Sequence, residues 1–209
     1  MSPTEKFLPA YIILVIVFLL SLWAITRNNL DWKNINTNYQ ITETTRFAAP
    51  DYVRAIYLTA YSAGRNEWRQ DLIEKMKDSR INSVVIDIKD YSGYVLYDSQ
   101  VPAVLEINSS RSRMDNVEDI IEKFHQAGIY VIARQTVFQD SVLATAKSEL
   151  AFKTWNGNIW RDYKGLAWLD PQKEEVWEYN LAIAKEATKL GFDEINFDYM
   201  RYPSDGNVA

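Results

Sequence analysis

The chain has 209 residues, 47% of them hydrophobic and 24% charged, which suits one globular domain with an attachment. A net charge of −5 without a long Lys/Arg run argues against nucleic-acid binding through phosphate neutralisation. Cysteine is absent and His125 is the sole histidine, so disulfides, thiolate chemistry, His–His metal pairs and a Ser-His-Asp triad drop out. The remaining chemistry belongs to carboxylates, Lys, Arg, Tyr and Trp.

After a short flank (1–6), "FLPAYIILVIVFLLSLWAIT", Phe7 to Thr26, carries no charge over a length that crosses a bilayer core as a helix. Trp23 lies near the far interface. A cleaved signal peptide and a buried core helix are the alternatives. Leu22-Trp23-Ala24 is a poor small-x-small cleavage site, and the long apolar run favours an uncleaved transmembrane anchor. A single N-terminal span before a large domain places that domain outside the cytoplasm, on the cell membrane. Residues 27–50, rich in Asn and Thr, read as a polar linker.

From residue 51 onward, strands alternate with helices. "RAIYLTAY" (54–61) reads as the first strand. A helix follows over 67–80, with Trp68, Leu72, Ile73 and Met76 on one face. "SVVIDIKD" (83–90) is the second strand. Asp115 caps a helix whose stripe is Val117, Ile120, Ile121 and Phe124 and whose end is Gly128. "IYVIARQTVF" (129–138) is the third strand, with a short helix over 141–149. An aromatic loop runs from Trp155 to Leu169, and Asp170-Pro171 opens a long helix to Leu190. "DEINFDYM" (193–200) is the fourth strand.

This order implies a parallel sheet with right-handed crossovers. On strand two, Val84, Ile86 and Ile88 oppose Val85, Asp87 and Lys89. On strand four, Ile195 and Phe197 oppose Asn196 and Asp198, while Arg134 and Thr136 share a face of strand three and Tyr57, Thr59 and Tyr61 a face of strand one. Each strand offers one apolar face and a second that turns polar toward its C-terminal end. A β/α barrel with a site in its C-terminal mouth reads this way. No Gly-rich loop follows strand one, which disfavours a dinucleotide-binding open sheet. A full eight-stranded barrel takes about 250 residues. Arg54 to Asp205 holds four strands, so the expectation is an α/β fold amounting to the N-terminal half of a TIM barrel, truncated after about four βα units.

Asp198 closes strand four and is the candidate catalytic carboxylate, with Arg201 beside it to hold it ionised; a structural turn pair is the bland alternative. Asp87 and Lys89, two apart on one strand face, either point into the mouth or form a satisfied buried ion pair. Arg134 is placed to clamp a carboxylate, on the substrate or on Asp198, and Asn196 shares Asp198's face. In the aromatic loop, Trp155, Trp160, Tyr163 and Trp168 could stack on sugar rings while Asp162 bonds hydroxyls, or the loop could simply pack on the barrel rim. Asp170 reads as an N-cap and His125 as a helix-surface residue. No spaced acidic motif supports calcium, and no cofactor is expected.

Together, "YLTAYSAG", "VVIDIKDYSGYV", "VIARQTVFQD", "WRDYKGLAWLDP" and "GFDEINFDYMRYPSDG" resemble a bacterial family of glycosyl hydrolase-like domains (domain of unknown function 4015), similar to barrel glycosidases of the α-amylase type. The resemblance runs from about Tyr52 to Asn207. It implies a β/α barrel, a polysaccharide or oligosaccharide substrate, and a carboxylate at Asp198 acting as nucleophile or proton donor. A second carboxyl would come from a later strand, about 5–5.5 Å away for retention or 6.5–9.5 Å for inversion. The functional expectation is a membrane-anchored glycoside hydrolase of cell-wall or extracellular polysaccharide, inactive as this half alone. A non-catalytic carbohydrate-binding or scaffold protein of the envelope is the alternative.

Overall fold

The computed structural model describes residues 47–204. The flank 1–6, the apolar segment 7–26 and the linker up to residue 46 lie outside the described residues. Among the described residues no helix is long and apolar enough to cross a membrane.

Four parallel strands carry the fold: β1 (Ala55–Leu58), β2 (Ser83–Lys89), β5 (Tyr130–Thr136) and β6 (Glu194–Asp198). They pair in the order β1-β2-β5-β6. Between β1 and β2 lie α1 (Ala60–Gly64) and α2 (Asn66–Lys77). Between β5 and β6 lie α5 (Ser141–Ala146) and α6 (Glu174–Leu190), separated by the aromatic loop. An insertion not anticipated from periodicity follows β2: β3 (Val95–Tyr97), α3 (Pro102–Glu106) and β4 (Ser110–Met114). Only then comes α4 (Val117–Gln126). β3 meets the tip of β2 through Lys89 and Val95, antiparallel, and β4 runs parallel to β3. These pieces are too short to show a period, although Pro102 in the first turn of α3 marks its start.

Two of the expected apolar stripes hold. Val84, Ile86 and Ile88 of β2 are fully buried, and α4 turns Val117, Ile120, Ile121 and Phe124 inward. Several local readings change. The first strand stops at Leu58, because Thr59 leaves the sheet to cap α1, accepting from the Ser62 amide at 3.1 Å. On α2 the buried face is Arg69, Ile73 and Met76, and Trp68 is exposed. Asn116, not Asp115, caps α4 by accepting from the Asp119 amide. Asp170 takes the Gln172 amide in a turn, so α6 starts later, at Glu174. His125 is no free surface group: its Nε2 sits 2.8 Å from Asp193 Oδ2.

One correction shapes the core. The β2–β5 register shifts between Asp87 and Lys89, so Lys89 lines up with Gln135, whose amide reaches Asn180 on α6. Lys89 therefore leaves the face of Asp87 and enters the helix layer. There its Nζ meets Asp140 Oδ2 at 2.8 Å, both side chains fully buried, and donates to the Thr136 carbonyl at 2.9 Å. Gly93, at φ 91°, packs so closely here that a Cβ would fall 2.2 Å from Asp140 Oδ1. Removing one partner of such a pair strands a charge in a dry interior. Lys89→Met is expected to cost about 3–5 kcal/mol in urea unfolding. A loss under about 1 kcal/mol would show that Asp140 finds compensation elsewhere.

Candidate active site

At the C-terminal ends of the parallel strands, one inner-facing polar residue from each strand converges. Alternation puts Tyr57 (β1), Asp87 (β2), Arg134 (β5) and Asp198 (β6) on this face. The register opposes Asp87 to Arg134 and Thr136 to Asp198. The Arg134 guanidinium bridges the two acids. Its Nη1 donates to Asp87 Oδ1 at 2.7 Å, and its Nε and Nη2 donate to Asp198 Oδ2 at 2.9 and 2.5 Å. Tyr57 donates its hydroxyl to Asp87 Oδ2, and its ring centroid lies 5.8 Å from the guanidinium carbon. The other Asp198 oxygen, Oδ1, accepts from the Tyr199 amide at 2.6 Å.

Exposure separates the two acids. The Asp87 side chain is 6% exposed and that of Asp198 is 41% exposed. Asp87 thus spends its oxygens on Tyr57 and Arg134, whereas Asp198 is the carboxylate a solute can reach. Burial works against the Arg134 charge, but hydrogen bonds to Asp87 and Asp198 outweigh it and raise the proton affinity of the guanidinium. Burial, and then the hydrogen bond to Asp87 and its charge, push the Tyr57 phenol up to about 12.

The predicted site residues divide. Asp87, Arg134 and Asp198 are joined, and Asn196 lies exposed one alternation earlier on β6. Lys89 is not at the site, for the reason given by the register shift. Arg201 does not pair with Asp198; its guanidinium carbon sits 5.1 Å from the Trp168 ring centroid and 5.8 Å from that of Tyr199. Trp160 and Trp168 are both 1% exposed, so neither offers a face to a sugar. They pack edge to face with each other, and Trp168 does the same with Tyr199. Asp162 is also buried, accepting from Gln139 Nε2, Trp168 Nε1 and the amides of Lys164 and Leu166. Burial pushes that carboxyl up, but these bonds dominate and hold it below the usual carboxylate range. Of the loop's aromatic residues, Trp155 and Tyr163 are the ones presented to solvent, 85% and 83% exposed. Tyr57 was missed as a site residue; its signal was the polar face it heads on strand one. Among the described residues, no group of three or more His, Cys, Asp or Glu could hold a metal ion.

Residues 55–209 match the family model described as "Putative glycosyl hydrolase domain". The chain belongs to this family. The crystal structure of a hypothetical protein from Ruminiclostridium thermocellum is 45% identical, with a TM-score of 0.69 over 71% of this chain and 78% of that one. More distant barrels share the fold alone. A noncanonic maltogenic α-amylase from Thermotoga neapolitana is 15% identical at TM-score 0.51, covering 73% of this chain and 40% of its own. A chitobiase from Flavobacterium johnsoniae is 19% identical at TM-score 0.51, covering 69% of this chain and 23% of its own. The chain therefore spans less than half the length of those two enzymes. A comparison with curated proteins returned no match.

The raised Tyr57 value has a pH consequence. A folded-state value above the unfolded one of about 10 means that the stability tied to the neutral phenol is complete below about pH 10 and is lost as pH rises through about 12. Denaturant midpoints of the native chain should fall more steeply across that window than those of Tyr57→Phe. Parallel pH curves would mean that the Tyr57–Asp87 hydrogen bond contributes nothing to folding.

Proposed function

We propose that this chain is the N-terminal half of a (β/α)8 glycoside hydrolase, anchored by residues 7–26 and acting outside the cytoplasm on a cell-wall or extracellular polysaccharide. The observation that carries the reading is the Tyr57–Asp87–Arg134–Asp198 cluster at the C-terminal ends of four consecutive parallel strands, where barrel enzymes keep their chemistry. Asp198 is the exposed acid of the cluster and is assigned as the catalytic carboxylate. Its pairing with a guanidinium suits a nucleophile or a stabiliser of positive charge at the anomeric carbon better than a proton donor. The donor would then be a second carboxyl beyond β6.

The open side of the sheet supports the half-barrel reading. Among the described strands, β6 pairs only with β5. Along it runs an apolar groove of about 230 Å³, lined by Val137, Phe138, Trp177, Leu181, Phe197 and Met200. Phe197, expected to face a helix layer, is 37% exposed there. A fifth parallel strand and its helix would cover this groove.

The decisive comparison is hydrolysis of a polysaccharide panel by the full-length protein and by Asp198→Asn. Loss of at least about 100-fold in turnover is expected on any responsive glycan. Unchanged hydrolysis would remove Asp198 from the chemistry. Exposed Trp155 and Tyr163 favour a second reading, in which the protein binds glycans without cleaving them. Binding that persists in Asp198→Asn but disappears in Trp155→Ala/Tyr163→Ala, with no turnover by either protein, would select it. For the anchor, the domain should stay with membranes through alkaline carbonate washing and be cleaved by protease added to intact cells. Release by the wash would count against a spanning helix.

A further inference from the structure

Tyr199, the first residue past β6, is a non-glycine residue at φ 55°. A side chain in that left-handed region is unfavourable, and it persists only where the surroundings hold it. Immediately before it in the bond sequence, the Tyr199 amide donates to Asp198 Oδ1 at 2.6 Å. The chain around it is tied to the segment after β5. The Val137 amide donates to the Asp198 carbonyl at 2.9 Å, and the Phe138 amide to the Tyr199 carbonyl at 3.4 Å.

The Tyr199 ring is held from two sides. It packs edge-on against Trp168, centroids 5.8 Å apart at 67°. Trp168 is a fixed wall, because it is buried, donates Nε1 to Asp162 at 3.2 Å and abuts Trp160. Over both rings lies the exposed Arg201 guanidinium, whose Nη1 also donates to the Tyr202 carbonyl and to Ser204 Oγ, at 3.2 and 2.9 Å. Arg201 thereby closes the turn that follows the acid.

We propose that Trp168, Tyr199 and Arg201 form a positioning clamp for the Asp198 carboxylate. Arg134 fixes Oδ2 from the sheet side, and the clamp holds the main-chain amide that donates to Oδ1. Two tethers from different directions leave the carboxylate one orientation, which is what attack on a fixed anomeric centre requires. Through Trp168, the aromatic loop then buttresses the site. The kinetic role assigned to the clamp rests on the proposed catalytic use of Asp198; its structural part does not.

Two measurements on the full-length protein test it separately. The first is hydrogen–deuterium exchange at the end of β6, which needs no activity. Arg201→Gln is expected to speed exchange at the Tyr199 amide, while peptides from α4 and β2 keep native protection. Native protection at Tyr199 in this variant would overturn the clamp. The second is steady-state kinetics on a glycan that responds to the native enzyme, with Asp198→Asn alongside. Arg201→Gln should lower kcat about 10- to 100-fold with KM within about twofold, as expected for a misaimed group. Trp168→Leu should do the same, and Trp168→Phe, which keeps an aromatic wall, should recover most of the rate. A raised KM with native kcat would make Arg201 a substrate contact and overturn the positioning role. Native values for both constants would overturn it equally. If Asp198→Asn turns over normally, the catalytic assignment falls on its own, and the exchange result alone decides whether the clamp exists.

Discussion

The bridge that Arg134 makes between Asp87 and Asp198 holds the candidate site together. One cation, contributed by β5, reaches an acid on each neighbouring strand, so three strands share a single electrostatic knot. Removing these groups from water is costly, and the hydrogen bonds offset that cost only because their geometry is good. A planar fork can face two carboxylates at once, whereas an ammonium is a single point of charge. The parallel register makes the fork useful: with Asp87 opposite Arg134 and Thr136 opposite Asp198, all the polar groups arrive at the same end of the sheet.

A second buried pair works in the opposite layer. Lys89 and Asp140 bind the tip of β2 to the N-terminus of α5, where Asp140 also accepts the Leu143 amide at 2.8 Å. The register shift in β2 separates the two clusters. That shift divides Asp87 from Lys89, giving one acid to the site and one base to the core. The aromatic loop follows a similar logic. Its acid, Asp162, gathers two amides, an indole and a glutamine, and so locks Trp168 into the wall behind Tyr199.

Membership of the glycosyl hydrolase domain family and the location of the knot at the strand ends point the same way. The fold supplies the platform, and the site must be argued from its own groups. Within the described residues those groups are one reachable carboxylate, one buried acid that orients a guanidinium, and a phenol that completes the acid's hydrogen bonds. Acid-base chemistry on a glycosidic bond calls for a second reachable carboxyl. On the proposed half-barrel reading, that carboxyl comes from a strand added beside the apolar groove at β6.

Much of this was legible in the residues alone. Alternation in "SVVIDIKD" and "DEINFDYM", and the stripe of α4, showed most of the apolar faces and the end at which Asp87, Arg134 and Asp198 stand. Those features follow from periods of two and 3.6, which are local properties of the chain. Partner choice was not legible. Arg201 is three residues from Asp198 and Arg134 sixty-four, yet the distant arginine makes the pair, because strand register sets proximity across a sheet. Lys89 sits two residues from Asp87 in an unbroken strand pattern, and only the register shift against β5 sends it to Asp140. Trp160 and Trp168 read like any loop tryptophan until packing buries them. Local periodicity settled most strand and helix faces, and with them the end of the sheet that carries the polar groups. Only the tertiary structure decided which charges meet and which aromatic rings see water, because both depend on atoms that neighbour in space and not along the chain.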